Sequence, residues 1–255
     1  MLDKAKTLEG YKLQSLDGEI GNVKDFYFDD HYWVIRYLVA DTGNWLTGKQ
    51  VLISPYAMIA ANKEKEHINI DLTKKQIEDS PSLKTEKPVS RQFEEQYNRH
   101  YGWPMYWGDS AIWGYYPYLK RDQKTLKESA QSKNAWDPHL RSTREVTNYN
   151  IHASDGEIGH IEDFIINTET WTIHYLIIDT RNLWPGKKVL ISTQWIENIK
   201  WSESKVFVNL TRAAIKLSPE YTEEFLTREY EIALHQHYKR VGYWLNEHTT
   251  KNDSH

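Results

Sequence analysis

The chain has 255 residues, 39% hydrophobic and 27% charged, room for one large domain or two of ordinary size. Its 32 basic and 36 acidic side chains leave a net charge of −4, so no global basic field draws it to nucleic acid or an anionic membrane. It has no cysteine, which removes disulfides, thiol nucleophiles and thiolate metal sites, and no run of apolar residues long enough to span a membrane.

The opening, MLDKAKTLEGY, lacks the apolar core of a signal peptide, and a cytoplasmic location is expected. YKLQSL then alternates like a strand. Asp17-Gly18 follows between apolar alternations, a hairpin signal, since both residue types tolerate positive φ. GNVKDFYF is a second strand, in which Gly21 marks a bulge or tight bend. Asp29-Asp30 turns the chain into WVIRYLVAD, a nearly continuous apolar third strand. GNWLTGK is a loop, QVLISPYAMI a fourth strand and HINIDLT a fifth. Thr73 caps a short helix, KKQIEDS, which Pro81 helps to end.

A helical tail comes next. Pro88 and Ser90 suit its start. Phe93, Tyr97 and Tyr101 recur every four residues and give one aromatic packing face. It leads into YGWPMYWGDSAIWGYYPY, dense in aromatic rings, and then into KRDQKTLKESAQSKN, a polar stretch of mixed charge that reads as a linker within Gly108–Thr143.

Beyond the linker the text repeats. Tyr11 falls on Tyr149, Asp17-Gly18-Glu19-Ile20-Gly21 on Asp155-Gly156-Glu157-Ile158-Gly159, and Asp25-Phe26 on Asp163-Phe164. Trp33 falls on Trp171, and Val51-Leu52-Ile53-Ser54 on Val189-Leu190-Ile191-Ser192. With a one-residue shift, RQFEEQYNRHYGWPMYW aligns with REYEIALHQHYKRVGYW, whose stripe is Tyr230, Leu234 and Tyr238. Two copies at so long a spacing indicate a duplicated domain, not a solenoid. The expected division is 1–82, first barrel; 83–143, tail and linker; 144–220, second barrel; and 221–255, C-terminal helical tail. Five or six short strands per copy suggest a small barrel, closed or nearly so, because closure removes exposed edges. The fold class is mainly β with α additions.

This order of strand, DGEIG, D-F pair, W-x-I-x-Y-L, D-T, G-K and V-L-I-S resembles the PRC-barrel domain, over residues of about 8 to 82 and 146 to 220. The tail is similar to that of free-standing bacterial PRC-barrel proteins. The resemblance implies a binding or assembly module and supplies no catalytic residues. The N-terminal domain of the ribosome-maturation relatives and the membrane helix of the reaction-centre relatives have no counterpart here, so neither role is implied.

Several motifs have two readings. Asp17/Glu19 and Asp155/Glu157 can be read as paired catalytic carboxylates or ligands for a divalent ion. As a hairpin tip, the Asp supplies the turn and Glu19 points to solvent, and that reading is preferred. GNWLTGKQ imitates a phosphate-binding loop, but Gln50 stands where Ser or Thr is needed, a strand follows, and Arg181 replaces the first glycine in the second copy. Gly48 and Gly186 are then turn residues, and Lys49 and Lys187 are solvated. His100 and His237 are equivalent; His235 and His237, two apart on a helix, cannot chelate one ion.

The aromatic tails are the functional candidates. The expected interaction surface is His100, Tyr101, Trp103, Tyr106, Trp107, Trp113, Tyr115 and Tyr116 in the first tail, with His237, Tyr238, Tyr243 and Trp244 in the second. Stacked rings of this kind pack a core or hold a peptide, a cation or a single strand. No catalytic, cofactor or metal-binding residue is assigned. The expected function is a non-catalytic binding or scaffold protein that engages a protein partner or a second copy of itself. A small-molecule or metal-binding sensor or enzyme using the cleft between the barrels is the alternative, and an RNA-associated factor a weaker one.

Overall fold

The computed structural model describes residues 1–43, 45–46, 51–81, 91–103, 140–180 and 186–244. They form two compact units. One, the N-unit, is Lys6–Thr143 with Thr168–Thr172; the other, the C-unit, is Met1–Ala5, Arg144–Asn167 and Ile173–His255. The first two elements, β1 (Leu2–Lys4) and α1 (Ala5–Leu8), were not expected from the sequence. They are too short to show a hydrophobic period.

In the N-unit β2 (Lys12–Ser15), β3 (Gly18–Asp29), β4 (Val34–Asp41), β5 (Val51–Ile53), β6 (Met58–Asn62) and β7 (His67–Ile70) are ordered β6-β7-β2-β3-β4-β5. Only the β2–β7 pair is parallel. Alternation in β2 and β7 sends Leu13, Ile68 and Ile70 inward, and Phe26, Phe28, Ile35 and Leu38 of β3 and β4 are buried as well. The expected closure is not found: among the described residues no ladder joins β5 to β6. The predicted single strand QVLISPYAMI is broken between them by a 3-10 turn, Pro55–Ala57. Pro55 stands at its first positions and Ser54 caps it by accepting the Tyr56 N–H.

The hairpin at DGEIG is displaced by one residue from the expected place. Ser15 pairs with Gly18, so the loop residues are Leu16 and Asp17, and glycine alone takes a positive φ, +136°. Asp17 is thereby freed for another task. Its Oδ1 accepts the Lys74 N–H at 2.8 Å, at the start of α2 (Lys74–Glu78), whose own cap is the predicted Thr73 in a reciprocal box with Gln76. Gly21 does mark a bulge: Leu13 pairs with Gly21 and Gln14 with Glu19, which turns Ile20 into the core. The tail helix is α3 (Arg91–Tyr101). Residues 140–142, expected in the linker, form β8 (Leu140–Ser142), which pairs with β3 and leads into α4 (Thr143–Val146).

The C-unit follows the same plan. β9 (Asn150–Ala153), β10 (Gly156–Asn167), β11 (Thr172–Asp179), β12 (Lys188–Ser192), β13 (Ile196–Lys200) and β14 (Lys205–Val208) are ordered β13-β14-β9-β10-β11-β12. β1 lies antiparallel along β10. The bulge recurs at Ile158, and Asp155 Oδ1 accepts the Arg212 N–H at 2.7 Å at the start of α5 (Arg212–Lys216). Lys187, expected in solvent, is half-buried, and its Nζ donates to the Ser218 carbonyl. The C-terminal helix is α6 (Arg228–His237), capped by Thr227.

Candidate functional site

The aromatic tails make two different environments. In the N-unit, α3 lays its predicted face on the sheet. Tyr97 is fully buried and its hydroxyl donates to the Leu52 carbonyl at 2.6 Å. Tyr37, from β4, meets the Tyr97 ring edge-on at 5.3 Å and donates to Glu94 Oε1 at 3.1 Å. Burial holds the Tyr97 phenol well above its ordinary pKa.

Gly102, at φ +71°, ends the helix, and the Trp103 N–H returns to the Asn98 carbonyl at 2.9 Å. This reversal folds Trp103 back along the helix. Its indole stacks on Tyr101 (4.4 Å, 14°) and on Tyr56 (5.9 Å, 28°). The three rings wall one side of an open cleft of about 440 Å³, bounded also by His100, Asp71, Thr73, Gln76 and Asp79. His100 is exposed and touches only the edge of Tyr101 among the described rings (4.8 Å). Lys75, on the same rim, is tied to Asp79 at 2.9 Å and to Glu78 at 3.8 Å.

In the C-unit the tail closes on itself. Glu231 is 3% exposed, yet its Oε1 accepts from Tyr175 at 2.9 Å and Tyr243 at 2.8 Å, and its Oε2 meets Arg228 Nη1 at 3.0 Å. His235 joins them. Its Nδ1 faces the Val241 carbonyl at 3.1 Å, so Nδ1 carries the proton and Nε2 is left to accept at 3.1 Å from the Tyr175 hydroxyl. The single Tyr175 proton is shared between Nε2 and the carboxylate. His174 lies against Tyr243, ring centres 4.0 Å apart, and its Nε2 has no hydrogen-bond partner among the described residues. Burial, with Arg228 and the N-terminal ammonium, pulls the His174 pKa down to about 3; burial takes His235 down to about 4. Burial and the Glu231 charge push the Tyr175 phenol far up.

The sequence candidates therefore divide. His100, Tyr101 and Trp103 rim the open cleft. Tyr238 and Tyr243 are buried, and Tyr238 packs on Trp195 at 4.8 Å. His237 is pinned, its Nε2 2.8 Å from the Ala214 carbonyl. Trp244 is half-buried beneath the Arg228 guanidinium, 4.6 Å from its ring centre. Tyr106, Trp107, Trp113, Tyr115 and Tyr116 lie outside the described residues. Among the described residues no three His, Asp or Glu side chains gather to hold a metal ion.

Sequence reasoning missed Tyr56 and the buried Tyr–Glu pairs. The signal for the pairs was present. Glu94 and Glu231 stand three residues before Tyr97 and Leu234, on the packed stripe, and are the same residue in both tails.

Residues 3–77 of the chain match the family model of the PRC-barrel domain, a stretch that runs from β1 to α2. No curated protein matches the chain.

Proposed function

We propose that this chain, which carries a PRC-barrel domain at residues 3–77, is a non-catalytic binding and assembly protein whose contact site for a protein partner is the aromatic cleft of the N-unit. One observation carries the reading: Tyr56, Tyr101 and Trp103 are stacked at the surface, held from beneath by buried Tyr97, and bordered by Asp71 and Asp79. Rigid, part-exposed aromatics on a fixed scaffold are the usual anchors of interfaces. The C-unit tail, by contrast, spends its ionisable groups on one another.

The proposal includes two PRC-type barrels derived from one by internal duplication. What supports this is agreement in detail: the bulges at Ile20 and Ile158, the helix-start contacts of Asp17 and Asp155, and the buried pairs Tyr37–Glu94 and Tyr175–Glu231. A cytoplasmic location is part of the same reading, since a cysteine-free chain suits a reducing compartment. Among the described residues no helix is long and apolar enough to cross a membrane.

The test is affinity co-purification from native lysate with mass spectrometry, comparing wild type with Trp103→Ala/Tyr56→Ala. A protein held by the wild type and lost by the variant, with the variant still folded by circular dichroism and cooperative in its unfolding, supports the proposal. Equal capture by both overturns the assignment of the site. A second reading, a small molecule in the same cleft, is favoured by its size. A ligand-induced rise in melting temperature that disappears in the variant would select it.

A further inference from the structure

Each unit takes one strand from the far side of the sequence. In the C-unit β1 pairs with the end of β10: Leu2 faces Asn167, Asp3 faces Ile166 and Lys4 faces Ile165. In the N-unit β8 pairs with the end of β3: Leu140 faces Asp29, Arg141 faces Phe28 and Ser142 faces Tyr27. The two acceptor segments are the last three residues of the corresponding 12-residue strands. Both donors are three residues long and run directly into a four-residue helix.

Side chains select the donors. In the N-unit Asp25 receives both the Ser142 and Thr143 hydroxyls, at 2.5 and 2.9 Å, and Asp30 meets Arg141 Nε at 3.2 Å. In the C-unit Asn167 Oδ1 accepts from the Met1 ammonium at 3.3 Å, and Lys4 is paired with Glu223. The repeated D-F motif thus has a use in the N-unit: Asp25 fixes the Phe26 N–H through Oδ1 and presents its carboxylate to the incoming strand.

We propose that the end of β10, Ile165–Asn167, is a strand-acceptor site for the leading strand of a second copy of this chain, so that the protein self-associates by exchanging Met1–Ala5. Without a donor, the acceptor edge presents unpaired N–H and C=O groups, which is a template for strand addition. The donor strand is only three residues long, so few ladder bonds are broken when it leaves. The bonds it makes are the same whether it comes from its own chain or another. The preference for its own chain is only the effective concentration that the connection supplies, and rising protein concentration offsets that. The inference goes beyond the cleft assignment and involves none of its residues.

The absence of cysteine from the chain makes the test clean. One copy carries Leu2→Cys, another Asn167→Cys; the two positions are register partners and both are half-exposed. The copies are mixed at high concentration, warmed below the melting transition, cooled and oxidised. The expected product is a covalent dimer whose yield rises with concentration and whose peptide map shows the 2–167 link. A single copy with both substitutions closes internally when dilute. Closure of the double variant with no cross-linked dimer from the mixture overturns the proposal. So does equal cross-linking of the Leu2→Cys copy to a Glu220→Cys copy, whose exposed position lies outside every strand, or failure of the double variant to close.

Discussion

The phenol of Tyr175 donates to the carboxylate of Glu231 at 2.9 Å, and Tyr37 stands in the same relation to Glu94 at 3.1 Å. In each unit a tyrosine in the third strand of the contiguous hairpin series reaches a buried glutamate on the tail helix. An unpaired buried carboxylate is costly. Glu231 avoids that cost because Tyr175, Tyr243 and Arg228 surround it. The tail helices are therefore integral parts of the units.

Glu231→Ala leaves Arg228 and two phenols without their acceptor. Loss of one partner from such a network costs about 3–5 kcal/mol. Tyr175→Phe removes one donor and leaves the carboxylate undersupplied, for about 1–3 kcal/mol. Urea unfolding measures both. Glu231→Ala within about 0.5 kcal/mol of wild type, the range of neutral surface changes, would mean that the cluster does not hold α6.

The two histidines of this cluster predict acid sensitivity. Both have folded pKa values below the ordinary 6.5, about 3 for His174 and about 4 for His235, because burial and Arg228 oppose the imidazolium. As pH falls through 6.5, the unfolded chain takes up protons that the folded chain refuses, so stability declines from pH 6.5 to about 4 through His235 and to about 3 through His174, and is unaffected by these groups above pH 7. His174→Phe keeps a ring against Tyr243 and removes an Nε2 that is unpartnered among the described residues. It should be neutral or stabilising at pH 7 and flatten the acid decline. An unchanged melting-temperature profile from pH 7 to 4 would refute the account.

Much of the fold was legible, because alternation in YKLQSL and HINIDLT, the cap at Thr73 and the stripe Phe93, Tyr97, Tyr101 are local signals. β1 and β8 were not legible. They are three residues each, and their pairing is set by acceptors far away in sequence. The break at Pro55 was visible, yet it was absorbed into a strand because the residues on both sides are apolar. At the cleft, His100, Tyr101 and Trp103 were found from aromatic density, but Tyr56 was not: nothing local to a single exposed tyrosine after a proline shows that Gly102 will fold an indole back onto it.

The cleft rings and the buried ring beneath them should separate in stability. Tyr97→Ala removes a fully buried ring and its bond to Leu52, at about 3–5 kcal/mol. Trp103→Ala removes a half-buried stack, at roughly 1–2 kcal/mol. Comparable losses in thermal or urea unfolding would place Trp103 in the core and weaken the case for an exposed contact site.

The glycines of DGEIG give the sharpest test. A Cβ on Gly21 would lie 2.0 Å from the Asp41 carbonyl oxygen, and one on Gly159 1.9 Å from that of Asp179. Both obstacles are backbone, so neither can swing aside, and φ is +129° and +153°, a region L residues rarely adopt. Gly18 also has a positive φ, but its nearest neighbour would be the flexible end of Lys74 at 3.2 Å. Gly21→Ala and Gly159→Ala should each cost upwards of about 3 kcal/mol, and Gly18→Ala about 1–2 kcal/mol. Equal effects at Gly18 and Gly21 would show that conformational preference alone governs the motif. The predicted inequality would show that the second glycine is there because the next strand passes directly over it.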